Sequence, residues 1–172
     1  PLTSTMEIAF SLGSNLGDRL SHLTEAKQRL VEVQGTVLLD QSPVYDTEPV
    51  GVNDTYKDMS FLNSVLVVES DLDMDRWLNE LARIEKNMGR VRGEDRNAPR
   101  PIDIDILYAG DNCIESGNLT VPHPRWAQRR FVVQPLADVR PDLVLPGVQQ
   151  TVQEVLDNLP AGEAVTPLDD AW

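Results

Sequence analysis

Apolar side chains recur along this chain with two periods, and each period predicts one type of secondary structure. Alternation predicts strands at 6–14, 36–47, 61–70 and 101–109. Spacings of three and four predict helices at 17–33, from 73 or 75 to about 88, at about 126–137 and at 151–158. The core order is therefore β-α-β-β-α-β, with extra helices at the C-terminus. This is the ferredoxin-like α+β plan, a sandwich of helices on one face of a mostly antiparallel sheet.

Local signals refine the ends of these elements. Ser14 and Asn15 are residue types that cap helix N-termini, so we expect them to begin the first helix. Pro43 lies inside the second predicted strand and indicates a strand edge or a bulge there, because proline has no N–H to donate. Gly89 is predicted to end the second helix.

The fourth predicted strand combines isoleucines and aspartates in strict alternation. Ile102, Ile104 and Ile106 share one face, which leaves Asp103 and Asp105 together on the other. Same-face neighbours in a strand lie about 6.5–7 Å apart, so two such carboxylates can share one cation or flank two. Oxygen ligands without nearby histidine or cysteine favour Mg²⁺. The alternative is that both aspartates only solvate the wet face of a sheet.

Composition limits the class of protein. The chain has 172 residues, 41% hydrophobic and 25% charged, so we expect one globular domain over 1–172, with a core at about 6–158 and a polar tail at 159–172. It has no run of 18 apolar residues and no apolar leader, which argues against a membrane protein. A single cysteine, Cys113, is incompatible with an internal disulfide. Together these features favour a cytoplasmic protein.

The charge distribution argues against a nucleic-acid partner and for a small anion. The net charge is −13, which would repel a polyanion. Residues 90–100 nevertheless hold four arginines against two acids, and Arg125, Arg129 and Arg130 form a second basic cluster. Planar guanidinium groups match phosphate oxygens, so these clusters and the aspartate pair fit Mg²⁺ with a polyphosphate. Loop solubility alone is the alternative interpretation.

Five segments in order resemble the 6-hydroxymethyl-7,8-dihydropterin pyrophosphokinase family of folate biosynthesis. They are SLGSNLGDR (11–19), SPVYDTEPVG (42–51), FLNSV (61–65), GRVR…PRPIDIDIL (89–107) and LTVPHPRWAQRRFVVQPL (119–136). The resemblance extends from about 6 to about 158. It implies transfer of pyrophosphate from ATP to the hydroxymethyl group of 6-hydroxymethyl-7,8-dihydropterin, with release of AMP, in tetrahydrofolate biosynthesis. It also implies two Mg²⁺ ions bound with ATP.

The resemblance also implies roles on the nucleotide side. Asp103 and Asp105 correspond to the metal ligands, and together with Arg90 and Arg100 they form the expected catalytic set. The positions that correspond to ATP contacts are Arg90, Arg92, Arg100, His123, Arg129 and, as a further candidate, Glu85. The arginines at 90, 92 and 100 lie on a segment punctuated by glycine and proline, which we expect to close as a lid.

The pterin side needs aromatic faces and a hydrogen-bonding edge, because a pterin is a flat ring with an amide and an amino group. Asn63 offers both a donor and an acceptor on the same strand face as Phe61. By resemblance, the pterin pocket is formed by Thr47, Pro49, Val50, Phe61, Asn63 and Phe131. Without the resemblance, core packing would be the ordinary interpretation of both phenylalanines.

Gly93 departs from the family pattern at a position where a lysine can occur, and two other departures replace aromatic groups. Asn97 stands where some relatives carry an aromatic residue, and Pro124 stands where some carry tyrosine. Both departures predict weaker ligand affinity than in relatives that have the aromatic groups. Two other functions share some of these features: a non-catalytic ligand-binding module on the same fold, and a metal-dependent nucleotidyltransferase. We expect a monomer that binds ATP and the pterin.

Overall fold

A computed structural model describes residues 4–47, 59–90, 98–162, 164–169 and 172. The strands are β1 (Met6–Ser14), β2 (Thr36–Gln41), β3 (Tyr45–Thr47), β4 (Phe61–Ser70), β5 (Asp103–Ala109), β6 (Ile114–Ser116), β7 (Leu119–Val121) and β8 (Val165–Pro167). The helices are α1 (Arg19–Val31), α2 (Met74–Asn87), α3 (Arg130–Val139) and α4 (Val152–Asp157), with a 3₁₀ turn at Trp126–Gln128. None of the helices in these ranges is both long enough and apolar enough to cross a membrane.

The main sheet confirms the ferredoxin-like plan. Its strand order is β5-β1-β4-β3-β8, and β2 also pairs with β4. All the pairs among these described strands are antiparallel. Because β2 and β3 pair with successive parts of β4, together they form the second strand of the predicted plan, and β1 and β4 lie at the centre of the sheet.

The second strand is interrupted where proline was predicted to disturb it. β2 ends at Gln41 and β3 begins at Tyr45, with Pro43 between them. Ser42 maintains the connection to β4, since its N–H donates to the Val65 carbonyl at 2.9 Å and its Oγ accepts from the Val65 N–H at 2.8 Å. The result is a short, separate β3 beside the end of β4.

Helices cover both faces of the sheet. In β1, Ile8, Phe10 and Leu12 pack into a core under α1 and α2. Ala9 faces the opposite way, into a second core formed with α3 and α4. The ferredoxin-like repeat therefore builds one helical layer, and the C-terminal helices form the other.

Helix boundaries agree with the predictions at α2 but not at α1. The N-cap of α1 is Asp18, which accepts a hydrogen bond from the Ser21 N–H at 3.2 Å. The prediction that Ser14 or Asn15 caps this helix is wrong, because both are buried at the end of β1. At α2 the cap is Asp73, as predicted, and Gly89 follows the helix with a φ of 89°, which only glycine adopts readily.

Candidate active site

Strand pairing places the predicted metal ligands and the predicted pterin-binding amide in one row. Asp103 of β5 lies opposite Gly13 of β1, and Gly13 lies opposite Asn63 of β4. Residues paired in this way point to the same face, and at about 4.8 Å per strand the Asp103 and Asn63 backbones are about 10 Å apart. Gly13 leaves the floor between them open. A Cβ at Gly13 would lie 2.7 Å from the Asn63 Oδ1, so no larger residue fits without a shift.

The alternation predicted for the fourth strand is confirmed. Ile102, Ile104 and Ile106 are buried in the core beneath α2, while Asp103 and Asp105 are half-buried on the opposite face. Burial and the nearby Asp103 carboxylate raise the pKa of Asp105 to about 7. The two carboxylates therefore repel each other in a partly desolvated position, which is the environment that a bound cation relieves.

Glu85 ties helix α2 to strand β5 through the same corner of the site. Its buried Oε2 accepts from the Ile104 N–H at 3.1 Å and from the Arg90 Nη1 at 2.9 Å. Arg90 also donates from Nη1 to Asp103 Oδ1 at 2.6 Å and to the Ile102 carbonyl at 3.2 Å. Glu85 was predicted as a nucleotide contact, and in this structure its carboxylate holds Arg90 against the acid pair.

Arg100 lies between the acid pair and the predicted pterin pocket. Its Nη1 is 3.5 Å from Asp103 Oδ2, and its guanidinium carbon is 5.7 Å from the centre of the Phe61 ring. Asn15 holds its backbone from both sides: the Arg100 N–H donates to Asn15 Oδ1 at 2.8 Å, and the Asn15 N–H donates to the Arg100 carbonyl at 3.2 Å. Sequence reasoning missed this function of Asn15.

A cavity of about 420 Å³ opens beside Asp105, between α2, β5 and the β6–β7 hairpin. It is lined by Leu78, Leu81, Ala82, Glu85, Ile104, Asp105, Ile106, Ser116, Gly117, Asn118, Leu119, Thr120, His123 and Pro124. The walls combine apolar side chains from the sheet and helix with polar groups from the hairpin. This hairpin was not predicted, because strands of three residues are too short to show a period.

His123 enters the cavity as a neutral imidazole. Its Nδ1 accepts from the Arg125 N–H at 3.1 Å, which leaves Nε2 as the protonated nitrogen. Burial and the charge of Arg129 lower the pKa of His123 below its usual range. At neutral pH the ring can therefore donate one hydrogen bond without adding charge to the site.

The structure describes four of the six predicted pterin residues, namely Thr47, Phe61, Asn63 and Phe131. Asn63 is buried, and its Nδ2 donates to Thr47 Oγ1 at 2.6 Å. Phe61 lies two residues before it on the same face of β4 and is half-buried. Phe131 is the second residue of helix α3, and the Arg129 guanidinium carbon is 5.6 Å from the centre of its ring. Each aromatic ring thus has an arginine beside it.

Five predicted positions lie outside the described residues: Pro49, Val50, Arg92, Gly93 and Asn97. Within the described ranges, no group of three or more His, Cys, Asp or Glu side chains is arranged to hold a metal. The acid pair itself offers two carboxylates, a set that suits an ion taking its other ligands from water and substrate.

A model of the 7,8-dihydro-6-hydroxymethylpterin-pyrophosphokinase (HPPK) family matches residues 9–141. The chain belongs to this family. The match spans the acid pair, Asn63 and the His123 segment, and it confirms the family that the sequence resembles.

Curated relatives agree with the HPPK assignment. The 2-amino-4-hydroxy-6-hydroxymethyldihydropteridine pyrophosphokinase of Haemophilus influenzae is 37% identical over 139 residues, which are 81% of this chain and 84% of the relative. The folic acid synthesis protein fol1 of Schizosaccharomyces pombe is 41% identical over 152 residues, 88% of this chain. The chain spans only 20% of that protein and 28% of the folate synthesis bifunctional protein of Arabidopsis thaliana, which is 40% identical over 137 residues.

Solved structures agree on the fold. A crystal structure of Plasmodium falciparum HPPK-DHPS with pteroate superposes with a TM-score of 0.72, covering 91% of this chain and 43% of that one. Sequence identity in this superposition is 17%, so the similarity supports the HPPK architecture alone.

Proposed function

We propose that the chain transfers a pyrophosphoryl group from ATP to the hydroxymethyl oxygen of 6-hydroxymethyl-7,8-dihydropterin and releases AMP. The observation that carries this proposal is the row formed by Asp103, Gly13 and Asn63. This row brings a site suited to metal and phosphate and a site suited to a pterin edge onto one face of the sheet, with one strand, β1, between them.

The nucleotide side is supported by the cavity beside Asp105. Its volume of about 420 Å³ and its mixture of apolar walls and polar hairpin groups suit the base and sugar of a nucleotide. Asp105 and His123 both line this cavity, so a nucleotide placed there would direct its phosphates toward Asp103, Arg90 and Arg100. Guanidinium groups at that position neutralise phosphate charge.

The donor set fits magnesium. Asp103 and Asp105 supply hard carboxylate oxygens, and the raised pKa of Asp105 marks a place where a cation is favourable. We propose that these two side chains hold the two Mg²⁺ ions that accompany ATP. When bound, Mg²⁺ neutralises phosphate charge and orients the phosphates for displacement.

The chain's own groups then position the reaction. The hydroxymethyl oxygen releases its proton to water and forms a bond to the β-phosphorus, while the bond from that phosphorus to the bridging oxygen breaks and AMP leaves with that oxygen on its phosphate. Arg100, between Asp103 and the Phe61 ring, can stabilise negative charge that develops between the two substrates. Asn63 and Thr47 hold the edge of the pterin ring. The contribution of these side chains to catalysis is therefore mainly to position the two substrates and to neutralise charge.

The decisive experiment incubates the protein with ATP, Mg²⁺ and the reduced pterin, and measures AMP. Release of AMP that requires the pterin supports the proposal. A nucleotidyltransferase would release pyrophosphate instead, and a binding module would release neither product.

Matched carboxylate variants test the assigned site. Asp103→Asn or Asp105→Asn should lower kcat by at least about a hundredfold, because each removes a metal-binding charge while keeping the side-chain shape. Asp111→Asn is the control, since Asp111 is exposed in the turn after β5. Normal turnover in either of the first two variants would contradict the metal role.

The oligomeric state, the location and the partners remain proposals from the sequence. We propose a monomer that acts in the cytoplasm, with ATP and the pterin as its partners and with no nucleic acid. Size-exclusion chromatography with light scattering tests the oligomeric state directly.

A further inference from the structure

Strand β8 extends the sheet beside the predicted pterin pocket. Val165 pairs with Thr47, and Thr166 pairs with Asp46. We call residues 164–169 together with Trp172 the C-terminal strap. The strap pairs with β3, a strand of only three residues that ends at Thr47.

The strap has a second anchor at the interruption between β2 and β3. The Leu168 N–H donates to the Val44 carbonyl at 2.9 Å. The Trp172 indole N–H donates to the Ser42 carbonyl at 2.7 Å, and the Gln41 side-chain amide donates to the Trp172 carbonyl at 2.9 Å. The strap therefore follows this edge from Thr47 back to Gln41.

Packing reinforces the second anchor. The Lys27 ammonium lies 4.8 Å from the centre of the Trp172 ring. Leu168 and Trp172 also pack, partly buried, against the core beneath α1 and α2. These contacts combine a cation–π interaction with apolar burial, so the anchor does not depend on hydrogen bonds alone.

The strap acts on the residue that orients Asn63. Thr47 is held on one side by its pairing with Phe61 and on the other by its pairing with Val165. Its Oγ1 accepts the Asn63 amide N–H at 2.6 Å. Without β8, β3 would become a three-residue edge strand, and β4 would be the one strand left to pair with Thr47 among the described residues.

We infer that the C-terminal strap is a positioning element that sets the affinity for the pterin by fixing Thr47 and, through it, the Asn63 amide. This inference rests on the proposed function, because it assumes that Asn63 binds the pterin. The strap lies beyond residues 9–141, the part of the chain that the family model matches.

The nucleotide side should be insensitive to the strap. Asp103 and Asp105 lie on β5, at the opposite end of the strand order β5-β1-β4-β3-β8. The two central strands separate β5 from β3, and both are buried between helical layers. A change in the position of β3 should therefore affect Asn63 more than it affects Asp103 and Asp105.

Backbone geometry supplies a matched pair of variants at one position. Hydrogen-bonded and non-hydrogen-bonded pairs alternate along an antiparallel ladder, so the bond from Leu168 to Val44 implies bonds between Thr166 and Asp46 as well. Thr166→Pro removes that N–H donor, whereas Thr166→Ala keeps it. The Thr166 side chain is exposed, so the alanine variant is the control. Trp172→Ala tests the second anchor independently.

The experiment uses the full chain and measures both ligands by calorimetry. The pterin is titrated in the presence of a nonhydrolysable ATP analogue and Mg²⁺, and the analogue is titrated alone with Mg²⁺. Loss of one hydrogen bond of the strap, from the Thr166 N–H in Thr166→Pro or from the indole N–H in Trp172→Ala, should raise the pterin Kd about fivefold. The Kd of the analogue, the kcat at saturating pterin and all values for Thr166→Ala should stay within about twofold of wild type. Hydrogen exchange at residues 45–47 should accelerate in the first two variants.

Three results would overturn the inference. These are an unchanged pterin Kd in both strap variants, an equal loss of affinity for both ligands, or unchanged exchange at 45–47. If wild type releases AMP in a pterin-dependent manner while one of these results is found, only the strap inference fails. If wild type neither binds the pterin nor releases AMP, the proposed function fails and the strap inference with it. Should Thr166→Pro not fold, Trp172→Ala decides the outcome by the same criteria.

Discussion

The Asp105 side chain lowers the stability of the folded protein when it is ionised, at a position that suits a candidate metal site. An unfolded aspartate has a pKa of about 4, whereas burial and the Asp103 carboxylate raise the pKa of Asp105 to about 7. Between these two values the folded protein binds a proton that the unfolded chain does not, so stability falls as pH rises from about 4 to about 7. Ionisation of Asp105 therefore destabilises the folded protein, and a bound cation can offset this destabilisation.

The first prediction concerns Asp105→Asn, which cannot ionise at this position. Relative to wild type, its free energy of unfolding should rise between pH 4 and pH 8 by more than about 1 kcal/mol. Urea denaturation in metal-free buffer at several pH values measures this difference. Asp111→Asn, at an exposed position, should follow the wild-type profile. Parallel profiles for Asp105→Asn and wild type would show that the carboxyl is not destabilised when charged.

The second prediction concerns Asn15, whose buried side chain fixes the backbone of Arg100. Asn15→Ala removes the acceptor of the Arg100 N–H, so the guanidinium should lose its position between Asp103 and Phe61. We expect kcat to fall by at least about tenfold, because small displacements of charge-stabilising groups are costly. Steady-state kinetics and calorimetry should show smaller changes in the affinity for the pterin. Asn15→Asp keeps the acceptor oxygen and should recover part of the rate, and an undiminished kcat in Asn15→Ala would refute the assignment.

At the scale of elements, Glu85 connects helix α2 to strand β5 where the acid pair begins. Glu85→Ala leaves the Ile104 N–H without its acceptor and removes one carboxylate from the half-buried Arg90. The third prediction is a loss of about 2–4 kcal/mol in the free energy of unfolding, as expected when one partner of a buried ion pair is removed. Urea denaturation measures it. Glu80→Ala, on the same helix, breaks the more exposed pair with Arg83 and should cost less than about 1 kcal/mol. Equal losses in the two variants would contradict the structural role of Glu85.

Elements with a clear period could be predicted from the sequence, and the contacts between distant elements could not. The alternation in 101–109 fixes which side chains of β5 are buried, because side chains point to opposite faces of a strand whatever its neighbours are. Asn15 looked like a helix cap because its residue type suits that position, yet its partner, Arg100, lies 85 residues later. No local pattern reports such a pairing.

Short elements were missed for a related reason. The strands β6, β7 and β8 have three residues each, so they show neither alternation nor enough apolar surface to stand out. The hairpin of β6 and β7 forms one wall of the cavity, and its tertiary position is what makes Asn118 and Thr120 relevant. The roles assigned to Asp103, Asp105 and Asn63 came from motif resemblance, and the sheet register explains why these residues belong together.

At the scale of the whole molecule, the acidic surface and the arginines of the candidate site act on an anion over different distances. The net charge of −13 would repel the proposed nucleotide at long range, whereas Arg90, Arg100 and Arg129, which lie beside the acid pair, would attract it at short range. Salt screens interactions beyond the Debye length of about 8 Å at physiological ionic strength and affects partly buried groups less. As the salt concentration rises, the long-range repulsion should therefore weaken before the short-range attraction does.

The fourth prediction follows from this difference in range. The association rate constant for MgATP should rise by about twofold when NaCl is raised from 10 to 150 mM, because repulsion by the acidic surface is screened. Stopped-flow measurement of binding at these two concentrations tests it, with potassium chloride as a check against ion-specific effects. A rate constant that falls over this range would show that the local arginines already dominate the approach of the nucleotide.

The row formed by Asp103, Gly13 and Asn63 lies across three hydrogen-bonded strands. The separation between the carboxylates and the amide is set by the spacing of a hydrogen-bonded backbone ladder, which is among the stiffest dimensions in a protein. The register shift in the pairing of β1 with β5 falls between Ala9 and Phe10, toward the other end of the strand, so the segment at Gly13 keeps regular pairing. Insertions or exchanges in the surrounding loops should therefore alter how ligands enter and leave, while the span between donor and acceptor stays constant.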